Sequence, residues 1–389
     1  MLPEIVFWTS TGALAWVYGG YPVTVAALAR LRPVILRPAD GPPTLSVAIA
    51  VHNEAAHIAD RIADALAQTN SGARVIEVLV GSDGSTDATE SIVADLAGRD
   101  PRVRLLALPR SGQTPTQTAL FEAAQAEAVI LTDAETRFAP GCLAVLAEAL
   151  RDARVGCVTG RLEWRDEAAT ATSAQEGLYW RYERRVRELE SRAGMLTAVT
   201  GALLGVRASA YRTVPPTASM DHLLPLYVRE AGGLVVYVPG AVATDRPISG
   251  LREQLRNRTR TATRGIRANL SMVGPLAPWR RPGPALAIWS HKLLRWATPW
   301  FVLLVAGSGL VLALGGAVGY LVAPVGVAAL ALVAGIAHVL VASGRRPPRP
   351  VAFARSFAVV NLAFAIGWVN VLRGRGIEVW HRTEVRLTR

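Results

Sequence analysis

The sequence predicts an α/β fold with a doubly wound, mostly parallel sheet and flanking transmembrane helices. Between residues 45 and 132, short apolar runs typical of strands alternate with segments whose apolar residues recur at helical spacing. On either side of the soluble region, long stretches carry no Asp, Glu, Lys or Arg. The alternation is typical of a parallel sheet covered by helices on both faces, and the charge-free stretches are typical of membrane spans.

The alternating region contains four predicted strands, at residues 45–51, 75–81, 103–108 and 128–132. Helical spacing separates them, at Ile58, Ile62 and Leu66, at Ile92, Val93 and Leu96, and around Ala119 and Leu120. Farther along the chain, the patterns predict a helix at 174–192, a strand within 197–206, a helix at 221–230 and a strand at 234–239. Ligands of doubly wound sheets bind beyond the carboxyl ends of the strands, so residues at those ends are the first candidates for a site.

The charge-free stretches run from Ile5 to Ala29, from Trp296 to Gly344 and from Ser356 to Leu372. A span needs about 20 apolar residues, so the first predicts one span and the second predicts two, with a break near 315–320. The third has 17 residues and predicts a short span or a shallow or re-entrant segment. The first stretch lacks a preceding positive charge and is too long for a signal peptide, so it is predicted to be a retained anchor.

Basic residues next to the spans predict the orientation of the chain. Arg30, Arg32 and Arg37 follow the anchor and place the next region in the cytoplasm, in a multi-pass protein of the cell membrane. If 356–372 spans, the tail with its five arginines lies outside, against the same rule, and its side stays open. The predicted domains are an anchor at 1–36, a cytoplasmic domain at 37–250, a basic interfacial segment at 251–295, and helices with a basic tail at 296–389.

The net charge of +12 is concentrated in one segment, because ten basic residues and one acid lie between Arg252 and Arg295. This segment leads directly into membrane spans, so anionic lipid headgroups and phosphate-bearing substrates are the predicted partners, and no nucleic acid is expected. The two cysteines, Cys142 and Cys157, form no disulfide framework and indicate a reducing compartment.

The fourth predicted strand runs directly into two carboxylates, in "VILTDAETRF". Asp133 and Glu135 are two residues apart, and in extended chain such residues project to the same side. Crowded negative charges are unfavourable unless a positive group lies between them. The pair therefore indicates either a solvated turn at the end of the strand or a site for a positive group.

The second predicted strand is followed by "GSDGSTD" at residues 81–87. One interpretation is a turn in which Ser85 or Thr86 caps a helix that begins near Asp87. The same geometry also suits binding, because a helix N-terminus at the sheet edge can hold polar ligand groups. In that case Asp83 could accept hydrogen bonds from a base or a ribose hydroxyl.

In order and spacing, "LSVAIAVHNE", "VLVGSDGSTD" and "VILTDAE" together resemble the nucleotide-sugar-dependent glycosyltransferases of the GT-A fold. More closely, the chain resembles the membrane-bound family 2 inverting enzymes that include hyaluronan, cellulose and poly-N-acetylglucosamine synthases. The resemblance runs from about Leu45 to Arg267, and the flanking spans fit it. It implies that a nucleotide-diphospho-sugar is the donor and that a lipid-linked sugar or a glycan is the acceptor.

The resemblance also implies roles for the residues at the strand ends. Asp83 would contact the base, with Asn53 and Glu54 near the base and ribose, and Ser85 would belong to the same nucleotide-binding loop. Asp133 and Glu135 occupy the D-x-D motif, which in the family coordinates a divalent cation on the donor diphosphate. The implied cofactor is therefore Mg²⁺ or Mn²⁺, both of which prefer oxygen ligands. The glutamate departs from the motif but keeps its charge and its oxygen donor.

The implied catalytic base is Asp221, in "SMDHLLPLYVRE". The family has an acidic pair at this place, and here Met220 replaces the first member. One carboxylate is enough to take a proton from an acceptor hydroxyl. The alternative is that Asp221 is only the N-cap of a helix.

The implied acceptor site contains Gly201 and Ala202, in a segment of small residues that would let a sugar approach the backbone. Trp180 and Tyr182, in "YWRYERR", are either platforms for a sugar ring or part of the core.

Arginines recur every fourth residue in the basic segment and would form one positive face of a helix: Arg252, Arg256, Arg260 and Arg264. This face lies either on anionic lipid or at the donor diphosphate, the role that the resemblance implies for Arg260. The family motif of this segment keeps only that arginine, because Asn257 and Thr261 replace its Gln and Trp, and Gln113 replaces a lysine elsewhere.

These observations predict an inverting, metal-assisted glycosyltransferase that adds one or a few sugars to a membrane-associated acceptor. A processive synthase that extrudes polymer is the first alternative, although three or four spans are few for lining a channel unless a homodimer supplies more. A non-catalytic scaffold that senses nucleotide sugars is the second alternative.

Overall fold

The structure, a computed structural model, describes residues 1–39, 41–164, 171–245 and 250–374, and only the backbone of 171–180. Eight strands form one sheet in this part of the chain: β1 Leu45–Val51, β2 Val75–Asp83, β3 Val103–Leu108, β4 Ala128–Thr132, β5 Arg137–Phe138, β6 Val155–Trp164, β7 Leu204–Arg207 and β8 Leu234–Asp245. Their order is β3-β2-β1-β4-β7-β6-β8-β5.

The predicted doubly wound sheet is confirmed in the first half of the domain. Strands β1, β2, β3 and β4 lie at the predicted places and are parallel to their neighbours. The second half is mixed, because β7 pairs antiparallel with both β4 and β6. Two antiparallel steps restore the original direction, so β6 and β8 run parallel to β4 and end at the same edge of the sheet.

The strand predictions after residue 150 were partly wrong. Strand β6 was not predicted, and the strand within 197–206 is limited to β7, which begins only at Leu204. Strand β8 extends six residues beyond the predicted end, because the chain bulges at Pro239 and Gly240 and then resumes pairing. Proline is tolerated at such a bulge although it would interrupt a regular ladder. Gly160 lies opposite this bulge, where a Cβ would come within 2.2 Å of the Ala241 carbonyl oxygen.

The helices of the described residues are α1 Leu2–Ala15, α2 Tyr21–Leu31, α3 Ile58–Ala67, α4 Thr89–Arg99, α5 Gln113–Ala123, α6 Cys142–Ala149, α7 Ala171–Arg192, α8 Met220–Glu230, α9 Leu251–Ser271, α10 Pro282–Ala287, α11 Leu294–Trp296, α12 Thr298–Leu314, α13 Val322–Ala342 and α14 Arg349–Leu372. The predicted helices at 174–192 and 221–230 correspond to α7 and α8.

Apolar residues cover both faces of the sheet. Ala48 and Leu79 pack in one cluster with side chains of α5, α8 and α9, whereas Val47 and Val78 pack in another with side chains of α3 and α6. This division follows from the strand period of two, which sends successive side chains to opposite faces. Because both faces are buried, the strands read as continuous apolar runs in the sequence.

Among the described residues, three helical segments are long and apolar enough to cross a membrane: Leu2–Leu31, Val318–Ala342 and Arg349–Leu372. A fourth candidate is the pair Pro282–Trp296 and Thr298–Leu314, which is bent by 58°. The break predicted near 315–320 lies between α12 and α13, as expected. The third charge-free stretch belongs to a helix of 24 residues, because α14 begins before it at Arg349.

Candidate active site

The edge formed by the carboxyl ends of the parallel strands brings the predicted site residues together. Strands β1 and β4 end there and are followed by His52–Glu54 and Asp133, and β2 ends there at Asp83. Strand β7 runs in the opposite direction, with Leu131 opposite Leu204, so the segment before β7 reaches the same edge. This register explains how Gly201 and Ala202 come to lie near Asp133, which is 68 and 69 residues earlier in the chain.

Asp83 is fully buried, and its carboxylate is held by the loop between β3 and α5. Its oxygens accept hydrogen bonds from the backbone N–H groups of Ser111 and Gly112, at 2.6 and 3.0 Å, and from the Arg110 guanidinium at 2.5 Å. A carboxylate that accepts several N–H groups is strongly stabilised in its charged form. In this structure Asp83 therefore fixes the loop that leads to α5, and the role implied for it at the base stays a prediction.

Asn53 and Ser85 connect the loops after β1 and β2. The Asn53 backbone N–H donates to Ser85 Oγ at 3.1 Å, and the Asn53 side-chain oxygen accepts from the Thr86 backbone N–H at 2.8 Å. The capping prediction for Ser85 or Thr86 was wrong, because α4 begins only at Thr89. The backbone N–H of Thr89 donates to Asp87 Oδ1. These bonds bring the two loops into one surface at the sheet edge.

Asp133 lies in a pocket of about 250 Å³ together with Asp221 and Asp245, which we call the carboxylate pocket. Burial, followed by the negative charges of Asp245, Asp221 and Glu135, raises the pKa of Asp133 to about 7, and Arg260 opposes this shift. The excess of negative charge in a buried space is unfavourable, and a bound cation would relieve it. Carboxylate oxygens are the ligands that hard divalent cations prefer.

Glu135 has different neighbours from Asp133. Its carboxylate forms a group with Glu54 and His57, in which one ligand atom of each residue lies within 4.8 Å of the others. His57 Nδ1 also lies 3.1 Å from Glu54 Oε2. Asp133 and Glu135 are close enough for Glu135 to raise the pKa of Asp133, yet only Asp133 lines the carboxylate pocket. The two metal ligands predicted for this motif therefore belong to two adjoining groups: Asp133 lies in the carboxylate pocket, and Glu135 lies with Glu54 and His57.

Asp221 is the second residue of α8, and Ser219 occupies the N-cap position, so the capping alternative for Asp221 was wrong. Ser219 Oγ donates to Asp221 Oδ1, and His222 Nδ1 lies 3.2 Å from the same oxygen. Burial would raise the pKa of Asp221, but His222, Ser219 and Arg264 together hold it well below its usual value. The carboxylate is therefore ionised at neutral pH and able to accept a proton.

Because Gly201 has no side chain, it leaves space next to the Asp221 carboxylate. A Cβ at Gly201 would come within 3.3 Å of Asp221 Oδ2, so a side chain here would crowd the oxygen. Ala202 is buried and lines the same pocket. The side chain of Trp180 lies outside the described residues. Tyr182 donates to the Val17 carbonyl oxygen at 3.4 Å and lies beside Arg295, which supports the packing interpretation of this residue.

Helix α9 divides its arginines between solvent and the carboxylate pocket. Arg252 and Arg256 are exposed, whereas Arg260 and Arg264 are partly buried and line the pocket with Asp133 and Asp221. The interpretation that all four lie on lipid is therefore wrong for Arg260 and Arg264. Both arginines therefore lie beside the carboxylates, and guanidinium groups are suited to binding the oxygens of a diphosphate.

The sequence patterns did not place three titratable residues in the pocket: Asp245, His222 and Arg264. Asp245 follows the rule that pointed to Asp133, since it ends a strand at the same edge. The bulge at Pro239 hid this signal, because the predicted strand stopped there. His222 gave no signal beyond its position next to Asp221.

Comparison with known proteins adds a family to this geometry. Residues 46–214 match the family model described as glycosyl transferase family 2. An N-acetylglucosaminyltransferase of Rhizobium meliloti (strain 1021) is 25% identical over 341 residues, which cover 76% of this chain and 79% of the relative. A second one, from Rhizobium sp. (strain N33), is 27% identical over 233 residues, and the match spans only 52% of that relative's length.

A solved structure is similar over nearly the whole chain. The mannosyltransferase PcManGT from Pyrobaculum calidifontis, in complex with GDP-Man and Mn²⁺, matches with a TM-score of 0.67 and 19% identity. The match covers 95% of this chain and 99% of that one. At this level of identity the similarity shows the fold, which is that of the GT-A glycosyltransferases with flanking apolar helices.

Proposed function

We propose that the chain, whose residues 46–214 match the family model of glycosyl transferase family 2, transfers a sugar with inversion to a membrane-associated acceptor. The observation that carries the proposal is the carboxylate pocket, where Asp133 and Asp221 lie together with Arg260. A donor bound at the sheet edge would place its diphosphate near Asp133 and its anomeric carbon towards Asp221.

The proposed base is Asp221. Its ionised carboxylate would take the proton of an acceptor hydroxyl, and the resulting oxygen would attack the anomeric carbon from the side opposite the diphosphate. His222 and Ser219 hold the carboxylate in position. Attack from the opposite side inverts the anomeric configuration.

The proposed metal ligands are Asp133 and Glu135, and Asp245 adds a third carboxylate near Asp133. The charge repulsion in this pocket fits a divalent cation, Mg²⁺ or Mn²⁺. When bound, the cation would offset the charge of the donor diphosphate and of the departing nucleotide. Arg260 and Arg264 would supply further positive charge to the same leaving group.

The proposed nucleotide site is the surface formed by the loops after β1 and β2. Asn53 and Glu54 would contact the base and ribose, and Asp83 and Ser85 would hold the loops that surround them. The site belongs to a proposed cytoplasmic domain at 37–250, between the anchor at 1–36 and the basic segment at 251–295, with the membrane helices and tail at 296–389.

The experiment is an assay of nucleotide release by the purified chain with a panel of nucleotide sugars, with Mn²⁺, with Mg²⁺ and with excess EDTA. We expect release with one donor that requires a divalent cation and an acceptor from the membrane. Full activity in EDTA would contradict the role of the metal. The absence of release with every donor would favour the non-catalytic scaffold.

We further propose addition of one or a few sugars rather than processive synthesis. The segment 296–344 consists mainly of Val, Leu, Ala and Gly, and its titratable side chains are His338 and Tyr320, whereas a polymer channel needs polar groups that face inward. The size of the product made from donor alone tests this point. A polymer of high molecular weight would show that the processive alternative is correct.

A further inference from the structure

A second cavity, which we call the membrane-side chamber, adjoins the carboxylate pocket. It has a volume of about 340 Å³ and shares Gly201, Asp221 and His222 with that pocket. Its wall also contains Trp296 and Phe364, and Phe364 lies on α14, a helix apolar enough to cross a membrane. The chamber therefore connects the proposed base with the membrane-associated part of the chain. Its volume is within the range of about 300–1,000 Å³ that is usual for small-molecule sites.

The floor of the chamber borders a buried group of charged side chains, which we call the Glu183 cluster: Glu183, Arg187, Glu190, His291, Lys292 and Arg295. Glu183 accepts from Arg295 at 2.6 Å and from Arg187 at 3.2 Å, and Glu190 Oε1 lies 2.8 Å from His291 Nδ1. Glu183, Arg187 and Lys292 of this cluster also line the chamber.

Positive charge exceeds negative charge in the Glu183 cluster. Even if His291 is neutral, the cluster contains three cations and two carboxylates, and all of these side chains are at most 14% exposed. A buried excess of charge is unfavourable unless a counter-charge is close. An anion in the chamber would supply that counter-charge.

Lys292 is the member of the cluster best placed to meet such an anion. Its Nζ atom lies 3.6 Å from Glu183 Oε1, which is beyond hydrogen-bond distance, although the other two cations each donate to Glu183 at 3.2 Å or less. An ammonium group has three donors and acts as a compact charge for phosphate oxygens. It borders the chamber next to Trp296, whose ring centroid is 6.0 Å from Nζ.

We propose that the membrane-side chamber binds an acceptor in which a phosphate joins a sugar to a lipid, and that Lys292 and Arg187 contact this phosphate. The inference rests on the proposed function, because it names the acceptor class of the same site. In this arrangement the sugar hydroxyl lies at Asp221, the phosphate lies at the Glu183 cluster, and the lipid continues past Phe364 towards the membrane helices. A neutral glycan would leave the excess charge of the cluster unmatched.

The test measures binding of probes to the full chain in nanodiscs of phosphatidylcholine. Radiolabelled decyl phosphate is the anionic lipid probe, and decyl maltoside and inorganic phosphate are the competitors. The variants are Lys292→Met, which removes the charge, Lys292→Arg, which keeps it, and Arg346→Met, which removes an exposed charge of the loop before α14.

We expect decyl phosphate to bind the wild type and the Arg346→Met and Lys292→Arg variants with similar affinity. Binding to Lys292→Met should be weaker by about 10- to 100-fold, because a hydrogen bond to a charged group contributes about 1.5–3 kcal/mol. On the wild type, decyl maltoside should compete at least tenfold less well than unlabelled decyl phosphate. This comparison remains valid even if Lys292→Met does not fold.

Three results would overturn the inference: equal competition by decyl maltoside, equal binding to Lys292→Met and the wild type, or displacement by inorganic phosphate as effective as by decyl phosphate. The last result would identify a site for a free anion instead of a lipid. Nucleotide release is measured on the same preparations. If release fails while decyl phosphate binds through Lys292, the proposed function is wrong and the binding site remains. If release succeeds while both lipid probes bind equally, only the acceptor class is wrong.

Discussion

The carboxylate pocket and the Glu183 cluster are both buried groups of charged side chains, and they have opposite charge balances. In the pocket, Asp133 lies near three other carboxylates, and its pKa is raised to about 7. In the cluster, burial would raise the pKa of Glu183, but His291, Arg295 and Lys292 hold it well below its usual value. Acidic neighbours therefore add to the effect of burial on Asp133, whereas basic neighbours outweigh the effect of burial on Glu183.

The difference shows what each group contributes to the protein. Both carboxylates of the Glu183 cluster have partners within the chain, and these contacts join α7 to the segment 288–296, while Tyr21 connects Glu190 to α2. In the carboxylate pocket, the neighbours of Asp133 include other acids that raise its pKa, so the pocket is suited to ligands that bring positive charge. Loss of an acid should therefore impair activity in the pocket and impair stability in the cluster.

The largest expected effect is on catalysis. Asp221→Asn keeps the size of the side chain but removes its basicity, so transfer should fall by about 10²- to 10⁴-fold. Donor affinity should stay the same, because the base acts on the acceptor. Rates and donor affinity are measured in parallel for Glu230→Gln, which changes an exposed ion pair at the other end of α8. A parallel loss of donor affinity in Asp221→Asn would place the residue in the donor site instead.

The next effect is on stability. Glu183→Gln leaves Lys292 and Arg295 without their carboxylate, and breaking a buried pair in this way costs about 3–5 kcal/mol. The thermal midpoint in detergent should fall clearly, whereas Glu188→Gln, which changes a more exposed pair on the same helix, should cost at most about 1 kcal/mol.

The sign of the pH dependence follows from the lowered pKa of Glu183. The stabilisation by its charge is present above the pKa of the unfolded chain and is lost as the pH falls through the lower pKa of the folded state. The difference between the wild type and Glu183→Gln should therefore persist at pH 6–8. Equal midpoints of the two proteins in this range would show that the cluster does not stabilise the fold.

A smaller loss of stability is expected at Gly265, which contacts His222 of the carboxylate pocket and Trp296 beside the Glu183 cluster. A Cβ at Gly265 of α9 would lie 2.5 Å from the Trp296 ring and 2.9 Å from His222 Nε2. Gly265→Ala should therefore cost about 1–3 kcal/mol through overpacking and should also lower the transfer rate, because it displaces the neighbour of Asp221. Gly98→Ala in α4, where a Cβ meets nothing within 4 Å, is the matched control. Unchanged activity and stability of Gly265→Ala would disprove this close contact.

The smallest expected change in stability is an increase, in contrast to the losses above. A raised pKa of Asp133 means that its charge destabilises the metal-free fold as the pH rises from about 4 to about 7. Without divalent cations, Asp133→Asn should therefore raise the thermal midpoint at pH 8 by about 2–4 °C, which corresponds to about 1 kcal/mol, and should have no effect at pH 4. Transfer activity should be lost in the same variant. A lower midpoint of Asp133→Asn at pH 8 would contradict the charge repulsion. The control is Asp95→Asn, at an exposed position of α4.

The parallel half of the sheet could be predicted because strands β1, β2 and β4 are buried on both faces, β3 is half-buried, and helices with a clear period separate the strands. The antiparallel half could not be predicted in the same way. The part of β7 that pairs is only four residues long, and β8 is interrupted at Pro239, so neither gives a regular pattern over its full length. The position of Asp245 was lost with the end of β8.

The sequence by itself determined the alternating strands and helices of residues 45–132, the apolar helices and the carboxylates at the ends of β2 and β4, because these depend on local periodicity and on neighbours in the chain. Only the tertiary structure decided which charges meet. Asp133 and Asp221 are 88 residues apart, and Glu183 and Arg295 are 112 residues apart. The pKa of a buried acid depends on the sum of burial and of all charges within a few ångströms, and that sum is known only when the elements have packed.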